Sequence, residues 1–97
     1  MAEHASVVRV THFRAADGKR DELMSRLQSG IEAIRNMEGC YGAQLCNVRE
    51  MPEVIGSVSR WASQAALDNF LKTTESQRAE VAQLTAEPPM SEHLDSL

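Results

Sequence analysis

The spacing of the apolar residues changes period several times along this 97-residue chain, and the order of those changes limits the folds available to it. Residues 7–14 are rich in β-branched side chains and predict a strand. Residues 17–37 carry an apolar stripe at helical spacing, which predicts a helix. The stripe consists of Leu23, Leu27, Ile31 and Ile34. Asp17 is the expected N-cap of this helix, and Gly39 has the position of a left-handed residue after its end.

A hairpin is predicted in the middle of the chain. Residues 40–49 and 54–61 are both extended in pattern, and Pro52 falls in the turn between them, because proline lacks the N–H that a central strand position uses. Cys40 and Cys46 would lie on the first of these strands, about 20 Å apart at ~3.3 Å per residue. That separation is too large for a disulfide, and without a second cysteine pair a zinc site is not expected either.

The last third of the chain predicts two short helices and a final strand. Ser63 is expected to cap the first helix, and residues 74–77 (Thr-Glu-Ser-Gln) have the form of a capping box for the second. The prolines at 88–89 stop that helix, and residues 90–97 can add an edge strand. The resulting order, β-α-β-β-α-α-β, is that of the split βαβ motif of ferredoxin-like folds. We therefore predict an α+β domain with a four-stranded antiparallel sheet, whose first and third strands are central.

Charge and hydropathy disfavour several classes of protein. The net charge of −4 and the pI of about 5.3 disfavour binding to nucleic acid, which gains affinity from basic faces. No stretch approaches about 18 apolar residues in a row, so that no membrane span is expected. Residues 1–6 lack the basic and apolar regions of a signal peptide. We therefore expect one cytoplasmic domain over residues 1–97 that binds neither nucleic acid nor a membrane.

A second copy of the chain is the expected cover for one face of the predicted sheet. The helices of a ferredoxin-like domain cover one face only, and an apolar sheet face is rarely left in water. Val8, Val10 and Val58 would lie on the uncovered face, which predicts a homodimer. His12 falls on the same face, and His93 of the last strand is expected to approach it.

Four segments of the sequence carry a resemblance to one protein family. They are residues 55–67 (IGSVSRWASQAAL), 16–18 (ADG), 38–42 (EGCYG) and 87–89 (EPP). Over roughly residues 7–96 the chain thereby resembles the antibiotic biosynthesis monooxygenase domains, in which a strand ends in tryptophan and is followed by a small polar cap and an alanine-rich helix. The resemblance implies a dimeric α+β barrel, in which two sheets pack face to face with the helices outside.

The resemblance implies a choice among several activities. Some members of the family oxidise aromatic polyketides to quinones with O₂ and without metal or flavin, whereas others degrade haem or act on small signalling molecules. Leu71 stands where the haem-degrading members carry their axial histidine, so that haem degradation is not expected. We predict a monooxygenase that needs no cofactor and no metal and oxidises a small phenolic or polyketide-like aromatic metabolite with O₂. The alternatives are a non-catalytic dimeric domain that binds a small molecule or serves as an accessory subunit, and an isomerase or hydrolase.

The resemblance also implies which residues carry the chemistry. Trp61 matches the family's pocket tryptophan, which positions the substrate in the cofactor-free oxygenases. Ser57 and Thr11 stand where family members carry asparagine, and Ser59 stands where a glutamate is frequent. A hydroxyl can still donate one hydrogen bond, although an amide offers two donors and a longer reach. Trp61, Ser57, Thr11 and Arg9 are the predicted catalytic residues.

Alternate residues of the first and third strands share one face of the predicted sheet. That face would carry a pocket lined by the predicted catalytic residues and by the predicted substrate contacts Phe13, Ser59, Leu67 and Phe70. In this pocket Arg9 would oppose the negative charge of a phenolate or carboxylate, and Trp61 would orient the ring. The alternatives are that Trp61 is core packing and that Arg9 pairs with a glutamate at the strand end. Arg78 either reaches the mouth of the pocket or lies on a solvated helix face.

Overall fold

The computed structural model describes residues 5–97, which form four strands and three helices. In chain order these are β1 (Val7–Arg14), α1 (Arg20–Arg35), β2 (Cys40–Asn47), β3 (Val54–Trp61), α2 (Gln64–Thr73), α3 (Glu75–Ala82) and β4 (Met90–Asp95). This is the predicted order, and the fold is the predicted ferredoxin-like α+β class. The expectation that no signal peptide is present was drawn from residues 1–6. Residues 1–4 of that segment lie outside the described residues.

The four strands form one antiparallel sheet in the order β2-β3-β1-β4, which confirms that β1 and β3 are central. The register of the edge strand β4 pairs Arg9 with His93 and His12 with Met90. Directly paired residues share a face of the sheet, and successive residues alternate between faces. His93 therefore lies on the opposite face from His12. The expectation that these two histidines approach each other is wrong.

The helices pack on one face of the sheet and bury it in two apolar clusters. The first cluster contains Phe13, Leu23, Leu27, Ile55 and Leu84. The second cluster, called the tryptophan cluster below, contains Val7, Trp61, Leu67 and Phe70. The buried residues of α1 are Leu23, Leu27 and Ile31, which confirms the predicted apolar stripe of that helix.

The helix α1 is shorter at both ends than the predicted 17–37, and Asp17 does not cap it. The N–H of Lys19 donates to the carbonyl of Ala16 (2.9 Å) and closes a turn that passes through Gly18 at a φ of +74°. The helix begins only after this turn. Lys19 takes the N-cap position and provides no side-chain hydrogen bond there.

Of the caps predicted for the other two helices, one is formed and one is not. Ser63 caps α2 as predicted, because its Oγ accepts a hydrogen bond from the N–H of Ala66 (3.1 Å). Thr74 precedes α3, but its hydroxyl donates to the carbonyl of Phe70 (2.7 Å) and so caps the end of α2 instead. The predicted capping box of α3 is therefore not formed.

Gly39 joins α1 to the sheet and also sets how closely α2 approaches. Its φ of +82° confirms the predicted left-handed conformation. A Cβ added to Gly39 would lie 2.6 Å from the Cβ of Ala66 on α2, closer than two carbons can pack. Glycine is therefore required here both by the backbone conformation and by the contact, and the contact holds α2 over the end of β3.

The sheet face opposite the helices carries apolar side chains that one chain leaves partly open. Val8, Val10 and Val58 lie on this face and are half-buried. Met90 and Leu94 continue it on β4, where 67% and 47% of their surfaces are exposed. This face therefore has the composition that the sequence predicts for a subunit contact.

Two further expectations concern the thiols and the membrane. Cys40 and Cys46 both lie on β2 as free thiols. Within residues 5–97, none of the helices combines the length and the hydropathy that crossing a membrane would take.

Candidate active site

A cavity of about 700 Å³ lies between the helix-covered face of the sheet and the helices α1, α2 and α3. This volume falls within the range of about 300–1,000 Å³ that is usual for small-molecule sites. Most of its wall is apolar, and α1 contributes Leu27, Ile31 and Ile34 to it. The strands and α2 contribute five of the predicted site residues, which are Arg9, Thr11, Phe13, Ser57 and Phe70.

The polar side chains of the cavity are connected across β1 and β4. The Nη2 of Arg9 donates to the Oγ of Ser91 (3.1 Å), and the hydroxyls of Thr11 and Ser91 lie 2.8 Å apart. Thr11 is also the register partner of Ser57 on β3, so that both hydroxyls lie on the same face. A row of hydroxyl groups therefore crosses three adjacent strands beside the Arg9 guanidinium.

The Arg9 guanidinium is held in an environment that disfavours its charge. Its Cζ lies 5.6 Å from the centre of the Phe70 ring, and its buried Nε has no hydrogen-bond partner among residues 5–97. Burial, together with the nearby charge of Arg78, lowers the pKa of Arg9 to about 10. Within the described residues Arg9 forms no ion pair with a carboxylate, so that the strand-end pairing considered from the sequence is not found.

Arg78 reaches this cavity from α3, which settles the alternative left open by its sequence position. Its Nε donates to the hydroxyl of Thr74 (3.2 Å), and its Nη2 donates to the carbonyl of Leu71 (2.6 Å). These bonds anchor the guanidinium against the end of α2. Arg78 therefore adds a second fixed positive charge to the cavity wall.

Trp61 lies one layer behind the cavity wall. Its side chain is fully buried, and its Nε1 donates to the Oγ of Ser59 (2.8 Å). Its ring stacks on Phe70, with centroids 5.0 Å apart and planes at 27°. Leu67, also fully buried, packs in the same cluster. Phe70 thus has the wall position that the sequence suggested for Trp61, while Ser59, Trp61 and Leu67 support it from behind.

Sequence reasoning missed Ser91 and left Arg78 undecided. The signal for Ser91 was the pairing of β4 with β1, because a register that places residue 91 beside Thr11 also places its hydroxyl on the cavity face. The signal for Arg78 was its spacing of four residues from Thr74, which puts the two side chains on one side of α3. Residues 5–97 contain no group of three or more His, Cys, Asp or Glu side chains placed to hold a metal ion.

Comparison with other proteins places this fold among relatives. Residues 6–82 match the family model described as antibiotic biosynthesis monooxygenase. Among solved structures, Rv0793 from Mycobacterium tuberculosis is 24% identical over 94% of each chain, with a TM-score of 0.86. A conserved protein from Methanosarcina mazei Go1 is 18% identical over 96% of this chain and 95% of its own (TM-score 0.85). PA3566 from Pseudomonas aeruginosa is 18% identical over 100% and 99% (TM-score 0.81).

The two kinds of comparison carry different weight. At these identities the structural likeness shows the fold alone, and none of the curated protein sequences matches the chain. The family model, in contrast, covers β1 through the last residue of α3 and so includes most of the cavity wall. The chain therefore belongs to the antibiotic biosynthesis monooxygenase family.

Proposed function

We propose that this protein is a cofactor-independent monooxygenase that oxidises a small phenolic or polyketide-like aromatic metabolite with O₂ in the cavity described above. The observation that carries the proposal is an apolar cavity, with Phe70 in its wall, that contains the half-buried Arg9 guanidinium and a row of hydroxyls. An apolar wall holds a flat ring, and fixed donors beside a cation favour the ionised form of a phenol. Membership of the family supports the class of reaction.

The proposed chemistry follows from stabilising the substrate anion. The phenolic proton leaves to water, Arg9 opposes the resulting negative charge, and Ser57 is placed to donate a hydrogen bond to the oxygen. The anion passes one electron to O₂, and the phenoxyl radical and superoxide combine through a new C–O bond. For an anthrone, whose keto form has a methylene carbon opposite the carbonyl, the C–O bond forms at that carbon, the peroxide takes up the proton, and loss of water breaks the O–O bond and gives the quinone. The balance is R₂CH₂ + O₂ → R₂C=O + H₂O.

The predicted site residues take different parts in this proposal. Arg9, Thr11 and Ser57 line the cavity and contact the substrate or hold the groups that do. Trp61 is a positioning residue, because it reaches the cavity only through the ring of Phe70 on which it stacks. Its effect on turnover therefore passes through the placement of Phe70.

The proposal includes a homodimer that covers the open sheet face. The half-buried valines Val8, Val10 and Val58 and the exposed Met90 and Leu94 lie on that face, interspersed with His12, Arg60 and Glu92. A second copy of the chain would bury it without exposing new apolar area. Light scattering at micromolar concentration is expected to give twice the chain mass of 10.7 kDa. A mass of one chain would contradict this part of the proposal.

The decisive experiment measures oxygen uptake and quinone absorbance with EDTA-treated protein and dithranol, an anthrone. Ser57→Ala removes the accessible hydroxyl and is expected to lower kcat about tenfold with little change in KM, because a hydrogen bond to a charged group is lost. Ser76→Ala is the matched control, since Ser76 is exposed on α3 and bonds only to Gln77 among residues 5–97. Dithranol binding without oxygen uptake would instead favour the non-catalytic binding domain.

A further inference from the structure

The cavity contains two guanidinium groups whose charge no carboxylate of the described residues neutralises. Arg9 comes from β1 and Arg78 from α3, and within residues 5–97 neither forms an ion pair. Arg26, a third arginine of the cavity wall, differs from them, because its Nη1 lies 2.9 Å from the Oε2 of Glu80. Glu75 also reaches the wall but is exposed at the start of α3. The interior of the cavity therefore carries an uncompensated positive charge, whereas the charge of Arg26 at its rim is neutralised by Glu80.

The two unpaired guanidinium groups are already oriented. Arg78 is anchored by Thr74 and the carbonyl of Leu71, and Arg9 is anchored by Ser91. Arg9 in addition keeps a buried Nε without an acceptor. A buried donor without a partner is costly, and native proteins tolerate one mainly where a ligand or water completes it. Because this Nε is shielded from the cavity as well as from water, a ligand would meet Arg9 through its terminal Nη groups.

We propose that the ligand of this cavity is an aromatic acid, whose ring lies against the apolar wall from α1 and whose carboxylate is bound by Arg9 and Arg78. This inference rests on the proposed function only for the statement that the bound molecule is then oxidised. A carboxylate has two oxygens in one plane, which match the planar fork of a guanidinium, whereas a phenolate has one. Two cations beside each other are also better compensated by a group that accepts from both.

The size and lining of the cavity limit the ring system. A volume of about 700 Å³ with mostly apolar walls suits a ligand of one to three fused rings. The Phe70 ring is itself covered by Trp61 and by the Arg9 guanidinium, so that the apolar side chains of α1 provide the surface for the ligand's ring. The acid group is thereby placed at the two guanidinium groups and the ring at the apolar wall from α1.

The test compares 2-naphthoate with 2-naphthamide by isothermal titration calorimetry under nitrogen. The two molecules have nearly the same shape and differ in charge. We expect 2-naphthoate to bind at least tenfold more tightly to the parent protein. Arg9→Gln should remove this preference and Arg78→Gln should reduce it, whereas the control Arg26→Gln should keep it. Equal affinity of the two ligands for the parent, or a preference that survives both Arg9→Gln and Arg78→Gln, would overturn the proposal.

This test is independent of turnover, so that the two proposals can fail separately. A carboxylate preference without oxygen uptake would leave the aromatic-acid site standing and remove the oxygenase function. Oxygen uptake with dithranol and no carboxylate preference would do the reverse. Should Arg9→Gln fail to fold, Arg9→Lys keeps the charge but loses the planar fork, and a fall in the preference for 2-naphthoate is expected there too.

Discussion

Two neighbouring parts of the helix-covered sheet face differ in how their polar atoms are satisfied. In the closed part, Trp61 is fully buried and its N–H is bonded to Ser59. In the open part beside it, Arg9 lies two positions from Val7, the register partner of Trp61, and keeps a buried donor without an acceptor. α2 closes over the tryptophan cluster, whereas α1 and α3 leave the cavity open over Arg9. The difference teaches that polar atoms which satisfy one another form core, and those left unsatisfied mark a site.

The largest expected effect on stability comes from removing the Trp61 side chain from the closed part of the face. Trp61→Ala should lower the free energy of unfolding by about 3–5 kcal/mol, because it removes the largest fully buried side chain and leaves a hole behind Phe70. Urea unfolding followed by circular dichroism measures this loss. Since the change consumes much of the stability of a small domain, Trp61→Phe serves as a milder second variant. A loss below about 1 kcal/mol for Trp61→Ala would contradict the close packing around the Trp61 ring.

A smaller effect separates two serines that lie on the same face of β3. Ser59→Ala should cost about 1–3 kcal/mol of unfolding free energy, because it leaves the buried N–H of Trp61 without its acceptor. Ser57→Ala at the cavity should cost less than about 0.5 kcal/mol, since its hydroxyl is half-buried beside open space. Urea unfolding of both variants provides the comparison. Equal losses would mean that the closed and the open part of this face do not differ as described.

The fold could be predicted from the sequence because its signals are local. The spacing of Leu23, Leu27 and Ile31 marks α1, and the alternation along β1 and β3 places Arg9, Thr11 and Ser57 on one face. The caps at 17 and 74–77 were mispredicted. A turn closed by the N–H of Lys19 precedes α1, and the hydroxyl of Thr74 donates to the carbonyl of Phe70 instead of capping α3. A local sequence pattern does not show with which nearby group a side-chain hydroxyl will form its hydrogen bond.

The site was less predictable because it depends on contacts between distant parts of the chain. Alternation shows that Trp61 and Arg9 share a face, but only the packing of α2 decides that the first is sealed and the second is not. Ser91 and Arg78 enter the site through the register of β4 and the placement of α3. Neither follows from a spacing within one element, which explains why the strand pattern found Arg9, Thr11 and Ser57 but not Ser91 or Arg78.

The last prediction concerns the open part, where a change at Arg9 is expected to weaken ligand binding without lowering the stability of the fold. Arg9→Met fills similar volume without charge and should leave the unfolding free energy unchanged or raise it by about 1 kcal/mol, while 2-naphthoate binding is lost. Because burial lowers the pKa of Arg9 to about 10, its charge costs stability fully below that pH and less as the pH rises further. The gain of Arg9→Met over the parent should therefore be larger at pH 7 than at pH 10.5, as measured by urea unfolding. A clear loss of stability at pH 7 would show that Arg9 holds the fold together, as Trp61 does, and is not kept for a ligand.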